Sequence, residues 1–130
     1  MSVILTGFSS KIGLALLNKY FEKGHTVYCL GRKDCEFPED KSKKKLKKFF
    51  QLDFNSKSFN LDLEAIYNNF KNRKIDTIIH AAADCGKRET IKNQYYDDIK
   101  DLVNINFLNS AWFIKKSCDL LSMLDKEQNK

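Results

Sequence analysis

The chain has 130 residues, 42% of them apolar and 12% aromatic, with one proline and five glycines. That suits one domain with its own core and excludes a disordered tail, a collagen-like repeat and a disulfide-held miniprotein. The net charge of +6 is concentrated in one run, Lys41, Lys43, Lys44, Lys45, Lys47 and Lys48; elsewhere the chain is close to neutral, so the charge alone does not indicate nucleic acid.

Val3-Ile4-Leu5-Thr6 reads as a buried strand ending at Gly7. From Ile12 to Glu22 apolar residues recur at helical spacing, with Ile12, Leu16, Leu17, Tyr20 and Phe21 on one face. Lys23-Gly24-His25 closes this helix, Gly24 suiting a left-handed cap. Thr26 to Leu30 is a second strand, ending at Gly31. The polar segment Lys33–Lys48, with Pro38, reads as a loop. Phe49-Phe50-Gln51-Leu52 is a third strand, ending at Asp53. Leu63, Ile66, Tyr67 and Phe70 mark a second helix face. Thr77-Ile78-Ile79-His80-Ala81 is a fourth strand, apolar enough to expect burial on both faces. A long helical pattern then runs through Ile91, Tyr95, Ile99, Leu102, Val103 and Asn106 to Ile114, Cys118 and Leu121.

Alternating strands and helices predict an α/β fold: a Rossmann-like, doubly wound parallel sheet in the order 3-2-1-4, with residues 1–130 as one domain. No stretch reaches the roughly 20 apolar residues that span a bilayer, and the apolar start is too short for a secretory leader. Cys29, Cys35, Cys85 and Cys118 have neither zinc-ligand nor disulfide-framework spacing. Reduced thiols, no metal and a cytoplasmic location are therefore expected.

The chemistry-bearing motif is Thr6-Gly7-Phe8-Ser9-Ser10-Lys11-Ile12-Gly13, between the first strand and the first helix. A phosphate can approach free N–H groups at a helix start only where Cβ atoms do not obstruct it. Gly7 permits the tight turn, Gly13 permits close packing of helix on strand, and Ser9 and Ser10 carry hydroxyls for a phosphate. This turn resembles the Thr-Gly-x-x-x-Gly-x-Gly of the short-chain dehydrogenase/reductase family, with Lys11 in place of the middle glycine. Its charge could offset its bulk. The alternative is a plain strand–helix turn with no ligand.

Four further matches follow in the family's order. Gly31-Arg32, at the end of strand two, has no carboxylate for the ribose hydroxyls of NAD, and Arg32 offers a planar fork to a 2′-phosphate; the resemblance implies NADP in preference to NAD. Asp53 stands where the family's aspartate accepts from the adenine amino group; an Asx-turn is the alternative. His80-Ala81-Ala82-Ala83 resembles the His-x-Ala-Ala form of the epimerase-like branch, whose small residues let the backbone lie against ribose and nicotinamide, with His80 a hydrogen-bonded core residue rather than a catalyst. Asn106 resembles the helix asparagine that holds a water near the catalytic lysine; Asn104 is the rival, and a satisfied buried amide the alternative. The resemblance thus implies a nicotinamide dinucleotide held by Gly7, Ser9, Ser10, Lys11, Ile12, Gly13, Arg32, Asp53, Ala81, Ala82 and Ala83, with Asn106 in the catalytic group.

The family's Tyr-x-x-x-Lys follows strand five, which lies beyond Lys130. Tyr96-x-x-x-Lys100 fits the spacing but precedes Asn106, on the wrong helix, beside two acidic neighbours. The implied function is hydride transfer to or from a carbonyl or alcohol carbon of an unidentified small molecule, with this chain supplying the cofactor-binding half. The alternative is a non-catalytic dinucleotide-binding or interaction module. With no fifth strand, strand four is an open edge, and a homo-oligomer or a C-terminal half is expected to cover it. Neither a nucleic-acid partner nor a membrane is expected, because the lysine run lacks interleaved aromatics.

Overall fold

A computed structural model describes residues 1–34 and 46–128. Pro38, Cys35 and most of the lysine run lie outside the described residues. Four strands, β1 (Ser2–Thr6), β2 (Thr26–Gly31), β3 (Lys47–Gln51) and β4 (Thr77–His80), form one sheet in the order β3-β2-β1-β4, all parallel. The expected order holds.

Side-chain alternation sorts the core onto the two sheet faces. Ile4, Tyr28 and Leu30 point to one side, where they meet α2 (Phe59–Asn68) and α4 (Asn109–Gln128) through Leu63, Phe70, Phe113 and Leu120. Leu5, Val27 and Cys29 point to the other and meet α1 (Lys11–Glu22) through Leu17 and Phe21. The sheet is covered on both faces, as doubly wound folds require.

Several boundaries differ from expectation. β3 begins at Lys47, so the end of the lysine run is strand rather than loop. It stops before Leu52, whose N–H still donates to the Gly31 carbonyl at 2.9 Å. On α1, Leu17 and Phe21 are buried, but Ile12, expected on the same face, is 71% exposed. Gly24 takes φ +77°, and its N–H and that of His25 close a Schellman cap on Phe21 and Tyr20. All four β4 residues are only partly buried, not covered on both faces, since β4 pairs only with β1 among the described strands.

The largest departure lies after β4. One continuous helix is expected there; the chain instead forms a 3₁₀ turn (Ile91–Asn93), then α3 (Tyr96–Val103), a π-helical turn (Asn104–Leu108) and α4. The Tyr95 N–H donates to Asp98 Oδ2 at 3.2 Å, starting α3 afresh. In the π turn the Asn109 N–H reaches Asn104 O, one residue further back than in an α-helix. That extra residue rotates everything after it. The buried stripe of α4 is Ser110, Phe113, Ser117, Leu120 and Leu124, while Ile114 and Cys118 are exposed.

Candidate dinucleotide site

The carboxyl ends of the parallel strands open onto a cleft of about 560 Å³, lined by the Gly7–Ser10 turn, Leu30 to Asp34, Leu52 to Phe54, Ala81 to Asp84 and Ile105. It lies where ligands bind in open α/β sheets, between the central strand and its two diverging neighbours.

The turn is closed around its glycines. Gly7 has φ +69°, and a Cβ on it would overlap the Ala81 carbonyl. A Cβ on Gly13 would overlap the Gly7 carbonyl oxygen. Gly13 therefore fits the helix start against the turn itself rather than against the strand. Ser10 is the N-cap: its Oγ accepts from the Gly13 N–H at 3.0 Å and donates to Gly7 O at 2.8 Å. Its hydroxyl hydrogen is thus used within the turn and is not free for a phosphate. The N–H groups of Lys11 and Ile12 occupy the first helical turn, where no intrahelical acceptor exists. Lys11, Ile12 and Gly13 do not line the cleft with their side chains; Gly7, Ser9 and Ser10 do.

The β2 end adds Arg32, with an exposed side chain, and Lys33. The cleft wall there is not free of carboxylate, as the sequence led us to expect. Asp34 lies in it, held by Lys47 Nζ at 2.5 Å, and the Lys47 side chain is only 9% exposed. That acid is paired, so among the described residues Arg32 and Lys33 make this end cationic. Asp53 also lines the cleft, and its Oδ1 accepts from the Asn55 N–H at 2.9 Å, an Asx-turn.

At the opposite wall Ala81, Ala82 and Ala83 follow β4 as expected. Thr6 Oγ1 accepts the N–H of Ala81 at 3.1 Å and of Ala82 at 3.2 Å, and contacts His80 Nδ1 at 2.8 Å. His80 Nε2 is 2.9 Å from Ser110 Oγ, which donates to Ile105 O at 2.6 Å. The imidazole stacks on Phe54 and packs on Phe113. Burial among these groups pushes the His80 pKa below the ordinary histidine value.

Asn106 is exposed, not a buried amide on an apolar face, because the π turn aims it outward. Both ends of its side chain are engaged by one residue: Oδ1 accepts from the Asp84 N–H at 2.8 Å, and Nδ2 donates to Asp84 O at 2.5 Å. Asp84 Oδ1 in turn accepts from the Gly86 N–H at 2.8 Å. Asn106 is a clamp on the loop after β4. Tyr96 is 81% exposed on α3, and neither it nor Lys100 lines the cleft.

Phe8, Phe54, Ser110 and Ile105 escaped the sequence reading. Phe8 is buried beneath Gly31, where any Cβ would meet its ring. No motif announces it; its position between two glycines of the turn region was the available signal. The π turn places Ser110, and no periodicity marks that turn.

The sequence model of the NAD dependent epimerase/dehydratase family matches residues 3–110. The chain belongs to that family. No curated protein matches it in sequence. Among solved structures it resembles an NADH-dependent reductase, A1-R′, complexed with NAD (TM-score 0.74, 18% identity, 99% of this chain and 55% of that one). It also resembles a short-chain dehydrogenase from Leptospira borgpetersenii with bound NAD+ (0.70, 20%, 88% and 43%). A third is a serine dehydrogenase complexed with NADP+ (0.71, 15%, 93% and 49%). The chain spans about half the length of these structures. No described helix is long and apolar enough to cross a membrane.

Proposed function

We propose that this chain binds a nicotinamide dinucleotide in the cleft, NADP(H) in preference to NAD(H), as the cofactor half of an oxidoreductase of the short-chain dehydrogenase/reductase type. The observation that carries the reading is the glycine-closed turn at the head of the cleft. Its two Cβ-free positions let the turn close against Ala81 and against the helix start, and the Lys11 and Ile12 N–H groups of the first helical turn are the donors a diphosphate would take. The Ser9 hydroxyl lines the cleft beside them, whereas Ser10 acts by holding the turn and Lys11 offers its main-chain N–H rather than its side chain. The cleft's volume is within the roughly 300–1,000 Å³ common for cofactor sites.

Preference for NADP follows from charge. Arg32 and Lys33 would face a 2′-phosphate, and among the described residues the carboxylate next to them, Asp34, is already paired to Lys47. Asp53 keeps one carboxylate oxygen for an adenine amino group while Asn55 holds the other. Ala81 to Ala83 offer a wall without bulk for ribose and nicotinamide. The bound cofactor supplies hydride exchange with a carbonyl or alcohol carbon; these residues bind and orient it, and Asn106 fixes the loop beside it.

A non-catalytic binding module is the second reading. It is favoured by the position of Tyr96 and Lys100, off the cleft, and by an Asn106 amide whose oxygen and nitrogen each already bond Asp84. In either case the open edge of β4 and the exposed Ile99, Val103, Phe107 and Trp112 call for a covering chain segment or a second copy. Light scattering that returned a monomer at high concentration would oppose that expectation.

Titration with NADPH and NADH tests the binding reading. Wild type should bind NADPH more tightly than NADH, Arg32→Ala should lose that margin, and Gly13→Val should bind neither. Equal binding by all three proteins would refute the assigned roles. NADPH consumption with a panel of carbonyl compounds separates the two readings, turnover supporting the first and binding without turnover the second.

A further inference from the structure

The hydrogen bonds between β1, β4 and α4 have only one consistent direction. The Thr6 hydroxyl oxygen has two lone pairs, and the Ala81 and Ala82 N–H groups take both. Its own hydrogen must therefore go to His80 Nδ1, which acts as acceptor. His80 then carries its proton on Nε2 and donates to Ser110 Oγ, whose hydrogen goes to Ile105 O. Ala81, Ala82 and Ile105, at the two ends of this chain, all line the cleft.

We propose that His80 is a positioning residue for the cleft: as the neutral Nε2–H tautomer it keeps the Thr6 hydroxyl turned toward it and so fixes the Ala81–Ala82 wall, and a second proton on the ring releases that wall. A protonated Nδ1 would point a third donor at Thr6 Oγ1, and at least one alanine amide would lose its acceptor. Among the described residues, nothing in contact with the ring would absorb the charge. The groups facing it are the Thr6 hydroxyl of β1, the Ser110 hydroxyl and Phe113 ring of α4, and the Phe54 ring. None is charged, and the only other histidine, His25, packs on Tyr20 at the far end of α1. The inference rests on the dinucleotide reading only for its effect on binding.

The test uses nitrogen-15 NMR of the whole chain without ligand. At about pH 8, above the ordinary histidine pKa of roughly 6.5, His80 should show the Nε2–H tautomer. As pH falls through the His80 transition, exchange of the Ala81 and Ala82 amides, corrected for intrinsic pH dependence, should accelerate about tenfold, the effect of losing one such hydrogen bond. Thr6→Ser should keep both signatures. Ser110→Ala, which removes the Nε2 acceptor together with the bond to Ile105 O and leaves Thr6 intact, should weaken the tautomer bias; it serves if Thr6 variants fail to fold. NADH affinity should fall about tenfold with the same midpoint, NADH being chosen because a 2′-phosphate titrates near pH 6 itself. An Nδ1–H tautomer, or alanine amides indifferent to His80, would overturn the proposal. Failure of wild type to bind NADH or NADPH at any pH would overturn the dinucleotide reading instead, leaving the ligand-free signatures to decide this one.

Discussion

At the β1–α1 turn the cleft is shaped by what is missing, and at the β4 exit by what is added. Gly7 and Gly13 make the first wall by lacking Cβ atoms, and the backbone supplies the free donors. The second wall is held by side chains drawn from three elements, Thr6, His80 and Ser110, with Asn106 clamping the loop beyond. A backbone-made wall tolerates little substitution because no rotamer can relieve a clash. A side-chain-made wall can be tuned, and it responds to pH. The first strand is buried from Val3 to Thr6 and pinned on both edges, whereas β4 has one paired edge among the described strands and partial burial throughout.

Substitutions can break this contrast in order of size. Gly13→Val should be the most severe: its side chain collides with the Gly7 carbonyl and costs about 3 kcal/mol or more. Urea denaturation should show the loss, and neither dinucleotide should bind. Thr6→Val leaves two part-buried amides and an imidazole nitrogen without their partner and should cost roughly 2–3 kcal/mol. Thr6→Ser should cost under about 1 kcal/mol, mainly a lost methyl.

The fold was legible because its strands are short apolar runs closed by glycine or aspartate, and because buried parallel strands need no subtler pattern. The glycine turn was legible for the same reason: an absent side chain is visible in sequence. The second wall was not. Residue spacing after Tyr95 fits one continuous helix, and the π turn that rotates Ser110 inward and Asn106 outward is set by tertiary contacts with His80 and Asp84. The Asp34–Lys47 pair was hidden too, since it joins a loop to a strand whose start was read two residues late.

Smaller effects sharpen the comparison. Arg32→Ala should weaken NADPH about ten- to a hundredfold, the size of a charge-assisted hydrogen bond of roughly 1.5–3 kcal/mol, and leave NADH nearly unchanged in a fluorescence titration. Stability should also depend on pH through His80. Its folded pKa lies below the unfolded value of about 6.5, so the unfolded chain binds more protons as pH falls below that value. Stability should be full above it and decline beneath it. Thermal melts across that range should show the decline, and His80→Asn should flatten it. Asn106→Ala should have a small effect, about 1 kcal/mol, because its amide is exposed. Faster hydrogen exchange at Asp84 and Gly86 would report it.

The central claim is that main-chain amides at the start of α1 receive a diphosphate. A crystal of this chain soaked in NADPH addresses it most directly. Density for the diphosphate against the Lys11 and Ile12 N–H groups, with the 2′-phosphate toward Arg32, is the predicted result. A Lys11 side chain folded into that turn, or nucleotide density elsewhere on the molecule, would contradict it.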